Sequence, residues 1–172
     1  LDDDYDLSGT IIGAVEKEKI LSNRPAKPGD LLIGLPSNGL HTNGYSLVRK
    51  VFEKNYQFSD YIDDFGQSLG DELLKIHRSY LPYMDSVLDE SWLHGISHIT
   101  GGGLIDNTNR ILSGNCKLDV DWSSWERPAI FKLIQSVGSV PEEDMRHTFN
   151  LGIGLVIIID NACVDRFTAH LD

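Results

Sequence analysis

An apolar run, "DLLIGL" (30–35), is short enough for a buried strand, and beyond it Leu47, Val48, Val51 and Phe52 recur at the spacing of one helix face. The same order returns later. "GISHI" (95–99) reads as a strand, and after "TGGG" the residues Leu104, Ile111 and Leu112 mark a helix. Prolines at 128 and 141 suit the first turns of two more helices, one carrying Ile130, Phe131, Leu133 and Ile134, the other the short acidic "PEEDMRH". "SLGDELLKIHRSY" predicts a helix to about Tyr80, with a second piece after Pro82. "KLDVD" (117–121) alternates as a strand, "GIGLVIIID" (152–160) is a buried strand, and Asn161 can cap a last helix with Val164, Phe167 and Leu171 on one face. Near the start, "YDLSGTIIGAV" (5–15) predicts a strand. The charged stretch 16–30, with Pro25, Pro28 and Gly29, predicts a linker, and residues 53–66 a polar surface segment. Strands and helices mix throughout, which predicts an α+β (α/β-like) fold with a sheet covered by helices.

Composition narrows the function. At 172 residues the chain is one domain, or one and a piece of another, and 41% apolar residues suffice for a core. The net charge of −11, with no Lys/Arg run, excludes nucleic acid and anionic membrane as partners. The longest purely apolar run is Leu155–Ile159, far below a membrane span, and no signal-peptide pattern opens the chain. Cys116 and Cys163 lack metal-ligand spacing and do not suggest a disulfide scaffold, so a reducing cytoplasm is expected. An anionic ligand must therefore be held by local devices: backbone N–H groups, a helix N-terminus or one placed arginine.

Two junctions offer such devices. One strand passes through Ser37-Asn38-Gly39-Leu40-His41-Thr42-Asn43-Gly44 into a helix, the other through Thr100-Gly101-Gly102-Gly103. A glycine-rich turn opening a helix can present unpaired N–H groups and the positive end of the helix dipole, and glycine lets a ligand reach the backbone. The plainer reading is that such turns only satisfy chain geometry. A histidine close to each (His41 and His98) favours a site, because imidazole can move a proton near neutral pH. No phosphate-loop motif exists, "GIGLV" leads into a strand rather than a helix, and no serine-hydrolase elbow accompanies the triple glycine. His77, His94, His147 and His170 show no metal-ligand spacing. Asp2, Asp3, Asp4 and Asp6 form a charge run of the kind usually just solvated.

"GLPSNGLHTNGYSLVRKVF" (34–52), "HITGGGLIDNTNRIL" (98–112) and "MRHTFNLGIGLVIIID" (145–160) resemble three signature blocks of the aminoimidazole ribonucleotide synthetase family, also called phosphoribosylformylglycinamidine cyclo-ligases. Residues 5–21 resemble the end of that family's N-terminal domain. The resemblance runs over nearly the whole chain, and it implies the C-terminal domain of this superfamily, a mixed sheet and its helices in a three-layer sandwich. It implies ATP-dependent ring closure of formylglycinamidine ribonucleotide to aminoimidazole ribonucleotide in purine biosynthesis. It further implies His41 and His98 as catalytic candidates. Ser37, Asn43, Gly44, Thr100, Gly101, Gly102, Gly103, Arg110 and Asn150 are the implied substrate-binding candidates, and no metal ligand is expected here.

The family's ATP–magnesium segment has no match in this chain. ATP and Mg2+ are therefore expected to be bound mainly by an N-terminal domain that the sequence lacks, and the chain to be inactive alone. The expected division is 1–25, the last strand of that domain plus linker, and 26–172, a C-terminal domain truncated at its end. The full-length enzyme is expected to be a cytoplasmic homodimer. Other ATP-using superfamily members, such as formylglycinamidine ribonucleotide synthase, and a non-catalytic binding module with this fold are the alternative readings.

Overall fold

The computed structural model describes residues 8–114 and 116–171. β1 (Leu31–Pro36) runs through the first loop into α1 (Tyr45–Phe52). A small hairpin, β2 (Tyr61–Ile62) with β3 (Gln67–Ser68), leads to α2 (Leu69–Leu73) and α3 (Leu81–Met84). β4 (Leu93–His98) then enters α4 (Gly103–Asn109), followed by α5 (Ala129–Gly138), α6 (Glu142–Thr148), β5 (Ile153–Ile159) and α7 (Val164–Leu171).

The main sheet has the order β1-β5-β4, and both ladders are antiparallel, with Gly34 opposite Val156 and His98 opposite Leu155. The mixed sheet implied by the family resemblance is corrected here to a small antiparallel one. Strand–helix alternation does make β1 and β4 point the same way. The last strand, however, inserts between them in the opposite direction, so no parallel ladder forms among the described residues. All seven residues of β5 are buried, as its continuous apolar run requires. Leu155, Ile157 and Ile159 pack with Met84 of α3 and Phe167 of α7, whereas Ile153 and Val156 pack with Leu104 of α4. A separate cluster joins Val48 and Phe52 of α1 to Ile130, Phe131 and Ile134 of α5 and Met145 of α6. Phe131 and Phe149 sit with ring centroids 5.6 Å apart there.

Several local expectations change for tertiary reasons. Residues 8–16 carry no helix or strand and are exposed, because among the described residues no strand runs beside them to supply a ladder; residues 5–7 of the expected strand, and the aspartates before Leu7, lie outside the described residues. The linker is anchored, since Arg24 donates to the carbonyls of Leu88 and Glu90. "KLDVD" forms no strand and instead lays Leu118 and Val120 against the α4 face of the sheet. The last helix is preceded by a tight turn, Asn161–Cys163, capped by Asp160, whose carboxylate accepts from Ala162 N–H, rather than by Asn161. The helix expected to reach Tyr80 stops at Leu73, and residues 74–80 cross to the first loop. There Asn38 Nδ2 donates to the Ile76 carbonyl, while Arg78 and Tyr80 donate to the Pro36 carbonyl. These long-range bonds replace the helical ones.

A charge network closes the α5–α6 corner. Glu142 accepts both nitrogens of the Arg127 fork (3.0 and 2.7 Å), Arg146 Nε (2.8 Å) and Gln135 Nε2 (3.0 Å). Its carboxyl is held down to about 2, first by Arg127, and by Arg146 and Gln135 against the cost of partial burial. A depressed carboxyl stabilises the fold above its unfolded value of 4.5 and loses that contribution as pH falls towards 2. Urea midpoints of the wild type and Glu142→Gln should therefore differ at pH 6 and converge near pH 2. The difference should be modest, because Glu142 is 40% exposed and solvent screens it. A constant gap across that range would show that Glu142 acts through packing alone.

Candidate functional site

Because β1 and β4 point the same way, their C-terminal ends lie at one end of the sheet and bring both glycine-rich loops together. Gly101 N–H donates to Asn43 Oδ1 (3.2 Å), and Asn43 Nδ2 donates to the His41 carbonyl (2.8 Å). Between the loops stand three imidazoles. His41 stacks on His77 with centroids 3.9 Å apart, and His77 Nε2 lies 3.1 Å from His98 Nε2. His41 is buried, His77 half-buried and His98 exposed.

The chain accepts backbone strain to place His41. His41 (φ 52°) and Thr42 (φ 65°) are consecutive non-glycine residues in the left-handed region, a conformation that persists only where its surroundings enforce it. One enforcing contact is the bond of 2.7 Å between His41 Nε2 and Asn38 Oδ1. Another is Gly154 of β5: a Cβ there would stand 2.0 Å from Tyr80 Oη and 2.7 Å from His41 Cε1. Glycine is required at that position for both rings to reach the sheet. Burial, then the neighbouring His77, His98 and Arg78, push the His41 imidazole down to about 4, so it is neutral at physiological pH. His77 is also lowered, by burial and by His98. Burial raises the Tyr80 phenol to about 12.

Other expected site residues have structural partners. Ser37 Oγ donates to Asn150 Oδ1 (2.8 Å), which also accepts Gly152 N–H (2.8 Å), while Asn150 Nδ2 donates to the Gly39 carbonyl (2.8 Å). Both residues are buried and tie the first loop to the turn before β5. The expected row of unpaired N–H groups in the triple glycine is corrected: Gly101 donates to Asn43, Gly102 to the His147 carbonyl and Gly103 to the Thr100 carbonyl. Of the three, Gly103 is the one packed against the end of α6, where a Cβ would meet the Arg146 carbonyl. Thr100 Oγ1 bonds Asn107 (3.2 Å). Gly44 is the left-handed cap of α1, which no side chain caps, so the first-turn N–H groups of this eight-residue helix lack a side-chain acceptor.

Arg110 sits apart from the imidazoles, bonded to Asn107 Oδ1 (3.0 Å) and bordering a cavity of about 300 Å³ with His94 and Ile111. The cation near the imidazoles is Arg78. Arg78, His77, Asn38, Tyr80 and Gly154 are not among the expected site residues, and His77 stands here although its spacing in the sequence points to no metal-ligand role. Only Gly154 carried a local signal, a glycine inside an otherwise apolar strand.

The family model described as "AIR synthase related protein, C-terminal domain" matches residues 27–172. The chain belongs to this family. The chain is 45% identical over 171 residues to the phosphoribosylformylglycinamidine cyclo-ligase of Thermoanaerobacter sp. (strain X514), covering 98% of this chain and 51% of that protein. The proteins of the same name from Geotalea daltonii (44%; 98% of this chain, 49% of that one) and Caldicellulosiruptor bescii (46%; 95% and 49%) are similar to it as well. The chain thus spans about half the length of the relatives it matches. No helix among its described residues is long and apolar enough to cross a membrane.

Proposed function

We propose that this chain supplies the substrate-facing half of an ATP-dependent cyclo-ligase that closes the imidazole ring of formylglycinamidine ribonucleotide. The observation that carries this reading is the convergence of both loops, through Asn43 and Gly101, around His98, His77 and Arg78. Arg78 and the uncapped N-terminus of α1 offer a positive potential for the ribonucleotide phosphate. ATP, as co-substrate, activates the formamide oxygen by phosphorylation. An amidine nitrogen then attacks the activated carbon, the C–O bond breaks with loss of phosphate, and the nitrogen must shed a proton. Exposed His98, backed by His77 Nε2, is the proton acceptor in this reading, while neutral His41 positions the pair by stacking.

Magnesium does not fit these residues. Among the described residues the one group within metal-ligand reach consists of three histidines, and Mg2+ takes oxygen ligands. ATP and its magnesium are assigned mainly to a preceding domain. Residues 1–25 are read as the end of that domain plus a linker, 26–172 as the C-terminal domain, and the three-layer sandwich as a property of the whole parent domain. The parent enzyme is read as a cytoplasmic homodimer, and the isolated chain as inactive.

Calorimetric titration of the chain with formylglycinamidine ribonucleotide tests this. Saturable binding is expected, weakened about tenfold or more, some 1.4 kcal/mol, by Arg78→Gln. Binding indifferent to Arg78→Gln and His98→Gln would reject these residues as the substrate site. No binding, even with the preceding domain added in trans, would reject the substrate itself.

A further inference from the structure

We propose that His41, His77 and His98 together form a binding site for a borderline transition-metal ion, Zn2+ foremost. Each ring offers one nitrogen such that all three lie within 4.8 Å of one another. His77 Nε2 and His98 Nε2, 3.1 Å apart, are close to the spacing of roughly 3.3 Å that two nitrogens take around a tetrahedral zinc with Zn–N of about 2.05 Å. Two Nε2 atoms facing each other can share only one proton between neutral rings. An ion in its place serves both lone pairs.

His41 is prepared for the same role. Asn38 Nδ2 donates to the Ile76 carbonyl (2.7 Å), which turns Asn38 Oδ1 towards His41 Nε2 (2.7 Å). In the tautomer that donates Nε2–H to Asn38 Oδ1, Nδ1 keeps its lone pair; the Asn38 backbone N–H also lies 3.3 Å from Nε2, and Nδ1 is buried without a hydrogen-bond partner. An imidazole that donates one N–H to a carbonyl oxygen and leaves the other nitrogen free has the outer-shell arrangement of a metal-bound histidine. The three ligands come from the first loop, the 74–80 crossing and the end of β4, and exposed His98 leaves a fourth position open to water. Imidazole donors suit zinc, copper or nickel and not magnesium. The near-parallel stack of His41 on His77 means that half-buried His77 must tilt out of it to aim its lone pair at the ion.

This inference does not depend on the cyclo-ligase reading, and its test uses no substrate. The metal-free chain is titrated with Zn2+ by calorimetry, and with Co2+ while visible absorption is followed. One equivalent is expected, with the intense d–d bands of tetrahedral Co2+. His77→Gln and His98→Gln should each weaken binding at least ~10-fold. Cys116→Ser/Cys163→Ser should leave it unchanged, and Mg2+ should give no heat. Both histidines are at least partly exposed, so their variants should melt like the wild type. Absence of zinc binding up to millimolar concentration, affinity unmoved by both histidine variants, or loss in the cysteine variant would overturn the site.

Discussion

Gly103→Ala is expected to cost about 3–5 kcal/mol, because overpacking against fixed backbone and a strained φ each contribute of the order of 1–3 kcal/mol. The Cβ would stand 1.7 Å from the Arg146 carbonyl oxygen and 2.9 Å from its carbon, atoms of α6 that cannot swing aside. The residue also has φ +66°, which L side chains rarely adopt. Within a total stability of typically 5–15 kcal/mol, this is a large fraction. Gly101→Ala, two positions earlier, is the control. Its nearest neighbour is Asn43 Oδ1 at 4.0 Å and its φ is not positive, so its urea midpoint should stay within about 0.5 kcal/mol of wild type. A loss below ~1 kcal/mol for Gly103→Ala would show that the α4–α6 junction relaxes freely, contrary to the close packing described here.

Asn150→Ala should be nearly as damaging. It removes three hydrogen bonds and leaves Ser37 Oγ, Gly152 N–H and the Gly39 carbonyl without their partner in a buried setting. Each stranded group costs about 1–3 kcal/mol, so a total near 3 kcal/mol is expected after partial rehydration. For a chain of this size that corresponds to a fall in melting temperature of roughly 6–12 °C. Asn150→Asp should not rescue it, because a carboxylate oxygen would then oppose the Gly39 carbonyl. The first loop loses its tie to the turn before β5, so histidine-dependent ligand binding should weaken together with stability. A melting shift below ~3 °C would mean that water replaces the amide at little cost.

The two variants separate what was legible from what was not. Both positions stand out in the sequence as candidate ligand contacts, Gly103 in the triple glycine and Asn150 through the family resemblance. Residue type points to a special backbone or a special bond, but not to the partner. Gly103 packs against the Arg146 carbonyl and Asn150 is saturated by protein groups, and both partners are distant in the chain or belong to another element. Arg110 shows the converse: an arginine within a signature block sits beside His94, while Arg78, outside every block, stands by the imidazoles.

The sequence by itself determined the two strand–loop–helix junctions, the helices behind Pro128 and Pro141, the buried last strand and the family. Those features rest on local periodicity, on proline's restricted φ and on residue identity within short blocks. Tertiary structure alone decided that β5 enters between β1 and β4, turning an apparent parallel pattern into antiparallel ladders and setting both loops at one end of the sheet. It also decided that residues 74–80 abandon a helical pattern to bond with the first loop, which delivers His77, Arg78 and Tyr80 to the site. The physical reason is common to both: helix and strand signals are read over a few neighbours, whereas these outcomes depend on hydrogen bonds and packing between residues roughly 40 to 120 positions apart.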